Sequence, residues 1–109
     1  MTLRTSPQSQ FNPGALCVLV ADDHDYMRTI MIEVLRGAGV GRILSAGSGD
    51  EALELIERYE PDVLISDWAM DGMDGYELVR AIRASGRTNR DMPVIMMSGD
   101  TRRSQIDEA

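Results

Sequence analysis

The sequence predicts an α/β fold: a doubly wound parallel sheet with helices on both faces. Two observations predict it. Short apolar runs rich in β-branched residues alternate with segments of helical spacing, in the order β-α-β-α-β-α-β. The runs also lack the polar alternation of a strand with one wet face, and so read as strands buried on both sides.

Residues 1–15 are polar at "MTLRTSPQSQFNPG", carry two prolines, and are expected to form a flexible tail rather than a targeting segment. The fold is expected to occupy 16–109. "ALCVLVADD" is the first strand, breaking into acids. "DYMRTIMIEVLRGAG" places Met27, Ile30, Met31, Val34 and Leu35 on one helical face and stops at Gly37 and Gly39. "RILSA" is the second strand. "SGDEALELIERYE" opens with Ser48 and Glu51 in capping-box spacing, lines one face with Ala52, Leu55, Ile56 and Tyr59, and is closed by Pro61. "DVLISD" is the third strand, "GYELVRAIRASG" the third helix and "MPVIMMS" the fourth strand, and "GDTRRSQIDEA" starts a fourth helix. Most of the eight methionines fall within these apolar faces and are read as core filler.

The chain has 109 residues, enough for one soluble domain. Its 18 acids against 11 bases, all arginine, give a net charge of −7, which argues against nucleic acid as a direct partner. No apolar run approaches the roughly 18 residues of a membrane span. The single cysteine, Cys17, makes no internal disulfide, reads as a small buried hydrophobe, and points to a reducing cytoplasm.

In a doubly wound sheet, ligands bind at the carboxyl ends of the strands. Asp22 and Asp23 end the first strand, Asp67 the third and Ser98 the fourth, so these side chains converge on one rim. Three carboxylates at close range repel one another unless a cation sits among them. Magnesium suits a site that offers a few carboxylates plus waters. For any one acid, helix capping is the alternative, and Asp23 or Asp25 could cap the first helix. His24, the only histidine, is either a solvated loop residue or a group that tunes a neighbouring metal.

Other acid chemistries fail on the same residues. A helix-loop-helix calcium loop from Asp67 needs oxygen ligands where Ala69 and Leu78 stand. A haloacid-dehalogenase-type phosphatase also needs an aspartate at Ala69. No phosphate-cradling "GKS" or "GKT" occurs, and "GAGVG" follows a helix, so it is not a dinucleotide fingerprint. His24 has no nucleophile elbow near it to support hydrolase chemistry.

The blocks "VADDHDYMR", "LISDWAMDGMDGYELVRAIR" and "MPVIMMSGD" resemble the receiver domain of two-component response regulators, and within it the single-domain chemotaxis type. The resemblance runs from about Leu16 to the end and implies a flavodoxin-like sheet, with strand order 2-1-3-4-5 in the family. It implies a non-enzymatic signalling protein in which Asp67 accepts a phosphoryl group from a histidine kinase or phosphotransfer protein. Asp22, Asp23, Asp67 and the backbone carbonyl of Ala69 would hold Mg2+, and Ser98 would hydrogen-bond the phosphoryl group and move on activation. Output would pass by contact to a downstream protein target, in the cytoplasm, and Gly75 would be the turn glycine opening the third helix. The chain departs from the family at Asp71, where proline is usual, and at Gly99. It has no lysine, where the family places one after a fifth strand. The sequence is therefore expected to be a receiver truncated before the fifth strand and helix, with order 2-1-3-4. "VIMM" would then be a bare edge that invites a homodimer or a segment-swapped dimer. The alternative reading is a truncated or degenerate receiver that serves as a non-switching binding or dimerisation module.

Overall fold

The computed structural model describes residues 12–85 and 91–97. Four strands form one parallel sheet: β1 (Cys17–Ala21), β2 (Arg42–Ala46), β3 (Val63–Asp67) and β4 (Val94–Met97). Their spatial order is β2-β1-β3-β4, and β1 sits between β2 and β3. Three helices connect them: α1 (Asp25–Gly37), α2 (Gly49–Tyr59) and α3 (Gly75–Arg83). The expected α/β architecture and the order 2-1-3-4 are both present. The expected fourth helix from Gly99 onward lies outside the described residues, as do residues 1–11 of the expected tail. Residues 12–15 of that segment form a 3-10 turn (Pro13–Ala15) capped by the Asn12 side chain, and the Pro13 carbonyl accepts the Gly41 N–H.

The sheet separates two apolar layers. On one face Leu19, Ala21 and Leu64 pack with Ala46, Ala52, Ile56, Leu78 and Ile82, which ties α2 and α3 to the central strands. Leu19, Leu64 and Leu78 are fully buried, each worth about 1.5–3 kcal/mol of transfer free energy. On the other face Val18, Val20 and Ile65 pack with half-buried Met31 and Leu35 of α1. Only that part of the predicted α1 stripe touches the sheet, because Met27, Ile30 and Val34 are exposed. Met70 and Met92 are buried core filler, whereas Met27 is not.

The start of α2 differs from expectation in a way that side-chain geometry explains. Ser48 caps α2 by accepting the Glu51 N–H, but the Glu51 carboxylate turns to the Gly47 N–H, so the reciprocal half of the capping box is missing. The complete box lies at α3, where Asp74 accepts the Glu77 N–H and Glu77 accepts the Asp74 N–H. Aspartate caps as well as serine does. The α3 start is thereby fixed directly behind the loop that follows β3.

Candidate functional site

Register places the acids. Ala21 of β1 pairs with Ser66 of β3, so the next residues along, Asp22 and Asp67, stand abreast at the carboxyl rim. The Asp22 N–H donates to the Ala46 carbonyl at 3.0 Å, which continues the β1–β2 ladder by one residue, and Asp22 is 3% exposed. The backbone then folds back, because the His24 N–H donates to Asp22 Oδ1 at 2.9 Å. That turn lays the imidazole across the acids. His24 Nδ1 is 3.1 Å from Asp22 Oδ1, 3.1 Å from Asp23 Oδ1 and 3.8 Å from Asp67 Oδ2. One donor atom from each of these four residues lies within 4.8 Å of all the others.

Asp23 and Asp25 do not cap α1. The N-cap position is His24, without a side-chain cap bond, and Asp25 is the first helical residue. Asp23 instead reaches across the rim, where its Oδ2 accepts the Asp71 N–H at 2.9 Å. Its Oδ1 is buried and has no hydrogen-bond partner.

Electrostatics follow from this crowding. Burial, and then the charge of Asp22, push the Asp67 carboxyl above the ordinary range, against the opposing pull of the Trp68 N–H and His24. His24 is pushed up by its hydrogen bond to Asp22 and then by the charges of Asp23 and Asp22. Three carboxylates face a single imidazole, so the cluster carries an excess of negative charge. A buried carboxylate oxygen without a hydrogen-bond partner, a buried aspartate held above its usual pKa and three carboxylates at close range fit a hard divalent cation.

Ala69 is half-buried in the loop after Asp67. Ser98 lies outside the described residues; Met97, just before it, pairs with Asp67. Two contributors were not legible in the sequence. The Arg28 guanidinium donates to the Asp22 carbonyl at 2.5 Å and binds Asp25 Oδ1 at 2.6 Å, tying the acid loop to α1. The second is the Asp71 N–H, which works through the backbone, so its side chain carries no signal. For Arg28, the i,i+3 spacing from Asp25 was the available sign. Trp68 and Tyr76 flank the rim as a tilted, half-exposed pair with ring centroids 6.4 Å apart.

The parallel doubly wound sheet thus gathers acids from two adjacent strand ends, with a capped helix directly behind the third strand. The chain belongs to the response regulator receiver domain family of two-component signal transduction, whose family model matches residues 18–109. It is similar to the chemotaxis protein CheY of Pseudomonas aeruginosa, 38% identical over 92 residues that span 84% of this chain and 73% of the relative. Among solved structures, the chemotaxis response regulator CheY4 of Vibrio cholerae matches with a TM-score of 0.72 and 31% identity, covering 85% of this chain and 76% of that one. The receiver domain of the histidine kinase CKI1 from Arabidopsis thaliana, complexed with Mg2+ and BeF3−, matches with a TM-score of 0.67 and 30% identity, covering 85% of this chain and 75% of that one. No helix among the described residues is long and apolar enough to cross a membrane.

The Asp71 N–H gives a test of how the rim is held. Asp71→Pro removes the donor to Asp23 but installs the residue that is usual in the family at this position, so divalent-cation binding is expected to stay within about twofold of the parent's. Asp71→Asn and Asp71→Ala keep the N–H and are expected to bind as the parent does. Calorimetric titration with Mg2+ checks both. A loss of roughly tenfold in the proline variant would overturn this and show that the hydrogen bond is what orients Asp23 in this chain.

Proposed function

We propose that this chain is a phosphorelay receiver, which accepts a phosphoryl group on Asp67 from a histidine kinase or phosphotransfer protein and passes the signal on by protein contact in the cytoplasm. The observation that carries the reading is the acidic rim itself: Asp67 abreast of Asp22, with the Asp23 Oδ1 orphaned beside them. Asp22, Asp23, Asp67 and the Ala69 carbonyl would hold Mg2+, which when bound supplies positive charge against the phosphoryl oxygens. An Asp67 carboxylate oxygen forms the new P–O bond as the donor's P–N bond breaks, and the electron pair leaves on the donor imidazole nitrogen. Arg28 and the Asp71 N–H hold the acid loop in place during this exchange, and Ser98 is assigned the hydrogen bond to the arriving group.

Incubation with acetyl phosphate tests the reading. A single phosphoryl adduct, seen by intact mass and formed only with Mg2+ present, is expected. Failure to form the adduct with acetyl phosphate, together with failure to bind a beryllofluoride probe, overturns the assignment.

The second reading, a non-switching binding or dimerisation module, is favoured by the β4 edge. Among the described residues no strand lies beyond β4, and Ile95 is 54% exposed. An apolar edge strand is a template for another chain. A polypeptide of these 109 residues is accordingly expected to self-associate, through strand pairing or segment exchange. Light scattering across a dilution series, read beside circular dichroism, checks this. A folded monomer at low micromolar concentration would exclude it.

A further inference from the structure

We propose that His24 is an additional protein ligand of the acidic rim, and that it shifts the rim's cation preference toward first-row transition ions that accept nitrogen, with Zn2+ as the probe. The inference rests on the reading that Asp22, Asp23 and Asp67 hold a divalent cation, but not on phosphoryl transfer.

The geometry carries it. Metal–ligand bonds of the usual length place neighbouring donors about 3.0 Å apart in an octahedral shell and about 3.4 Å apart in a tetrahedral one. His24 Nδ1 stands 3.1 Å from an oxygen of Asp22, 3.1 Å from an oxygen of Asp23 and 3.8 Å from an oxygen of Asp67. The two 3.1 Å contacts, a hydrogen bond to Asp22 and an ion pair with Asp23 in the absence of a cation, have the spacing of donors that share one ion, whereas the Asp67 oxygen at 3.8 Å stands farther off than an adjacent donor. The ring is also held where it is needed: its own backbone N–H is bound to Asp22 Oδ1 at 2.9 Å, and that turn brings the imidazole back over the acids.

A second observation points to a cation at the same place. Asp23 Oδ1 is buried without a hydrogen-bond partner, and its close neighbour is the His24 ring nitrogen. An orphaned carboxylate oxygen beside an imidazole nitrogen is an unfinished mixed O,N donor set. The His24 side chain is 66% exposed, so the ring stands on the solvent side of the more buried acids.

Chemistry then sets the selectivity. Magnesium takes oxygen ligands and keeps much of its water, so an added imidazole gains it little. Zinc and its neighbours bind imidazole readily, and a His plus carboxylate set is an ordinary zinc environment. The rim therefore has two modes: an oxygen-only mode for magnesium, and an oxygen-plus-His24 mode for zinc.

The experiment compares the parent chain with His24→Ala, His24→Gln and Asp23→Ala, each titrated calorimetrically with Mg2+ and separately with Zn2+. Circular dichroism on every variant establishes that the fold is kept. In His24→Ala and His24→Gln, Zn2+ binding is expected to weaken by roughly tenfold or more, while Mg2+ binding stays within about twofold. Asp23→Ala is expected to weaken both ions. Zn2+ affinity unchanged or increased in the His24 variants overturns the inference while leaving the magnesium reading intact. A parent chain that binds neither ion overturns the magnesium reading itself.

Discussion

Asp67→Asn is expected to give no phosphoryl adduct from acetyl phosphate in the presence of Mg2+, while Asp71→Asn gives the parent's adduct. The amide of asparagine has the size of the carboxylate but is a poor nucleophile, so the P–O bond has nothing to form from. Loss of the adduct through unfolding is distinguishable, because the substitution should stabilise the protein when no divalent ion is added. Burial and the charge of Asp22 raise the folded-state pKa of Asp67 above its unfolded value. The ionised form is therefore disfavoured in the fold at neutral pH, and the penalty fades as pH falls through the raised folded-state pKa into the ordinary carboxylate range. Asp67→Asn removes that penalty. Its Tm should exceed the parent's near pH 7 by a few degrees, given that about 1 kcal/mol moves a domain this size by roughly 4–8 °C. The gap should close on acidification. An adduct that persists in Asp67→Asn would move the acceptor elsewhere.

Gly75→Ala is expected to be the most destabilising small substitution near the rim. A Cβ at Gly75 would approach the Asp67 carbonyl oxygen and Met96 Cε at 2.4 and 2.6 Å. The methionine end can swing away, but the carbonyl belongs to β3 and moves only if the strand does. The Gly75 N–H is also bound to the Trp68 carbonyl at 2.9 Å, which pins the helix start in place. Overpacking of this kind costs about 1–3 kcal/mol or more, and Tm should fall by roughly 4–8 °C for each kcal/mol. Cation binding should weaken with it, because the displaced strand end carries Asp67. Gly37→Ala is the matched control. Nothing lies within 4 Å of its added Cβ, and alanine at the end of α1 should be neutral or stabilising by up to about 1 kcal/mol. Thermal unfolding of both variants checks the opposite signs. A Gly75→Ala protein as stable as the parent would mean that α3 can shift without cost.

The strands and the rim were legible because each depends on local signals. "RILSA" coincides with β2 as observed, and the acids after "VLVA" and "VLIS" stand at strand ends, where the polar break placed them. Helix faces were less legible. The spacing of Met27, Ile30, Met31, Val34 and Leu35 makes one broad stripe, and sequence alone does not say how much of it the sheet can cover. In the structure Met31 and Leu35 meet Val18, Val20 and Ile65, while the rest of the stripe faces outward. The His24 contacts were hidden for another reason. They depend on a backbone turn made by Asp22 accepting the His24 N–H, and that bond has no signature in residue type beyond an aspartate two positions earlier.

The pairing of Ala21 with Ser66 bears on how this protein can change over time. Because Asp22 and Asp67 are neighbours across a parallel ladder, their separation is set by the strand spacing of about 4.8 Å and not by any connecting loop. Insertions or deletions in the connections between strands can accumulate without altering that distance. A single-residue slip of β1 against β3 would instead send one carboxylate to the opposite face of the sheet. Drift in loop length is therefore nearly invisible to this pair of acids, whereas drift in strand phase destroys the pair in one step, with no graded series of weaker forms between.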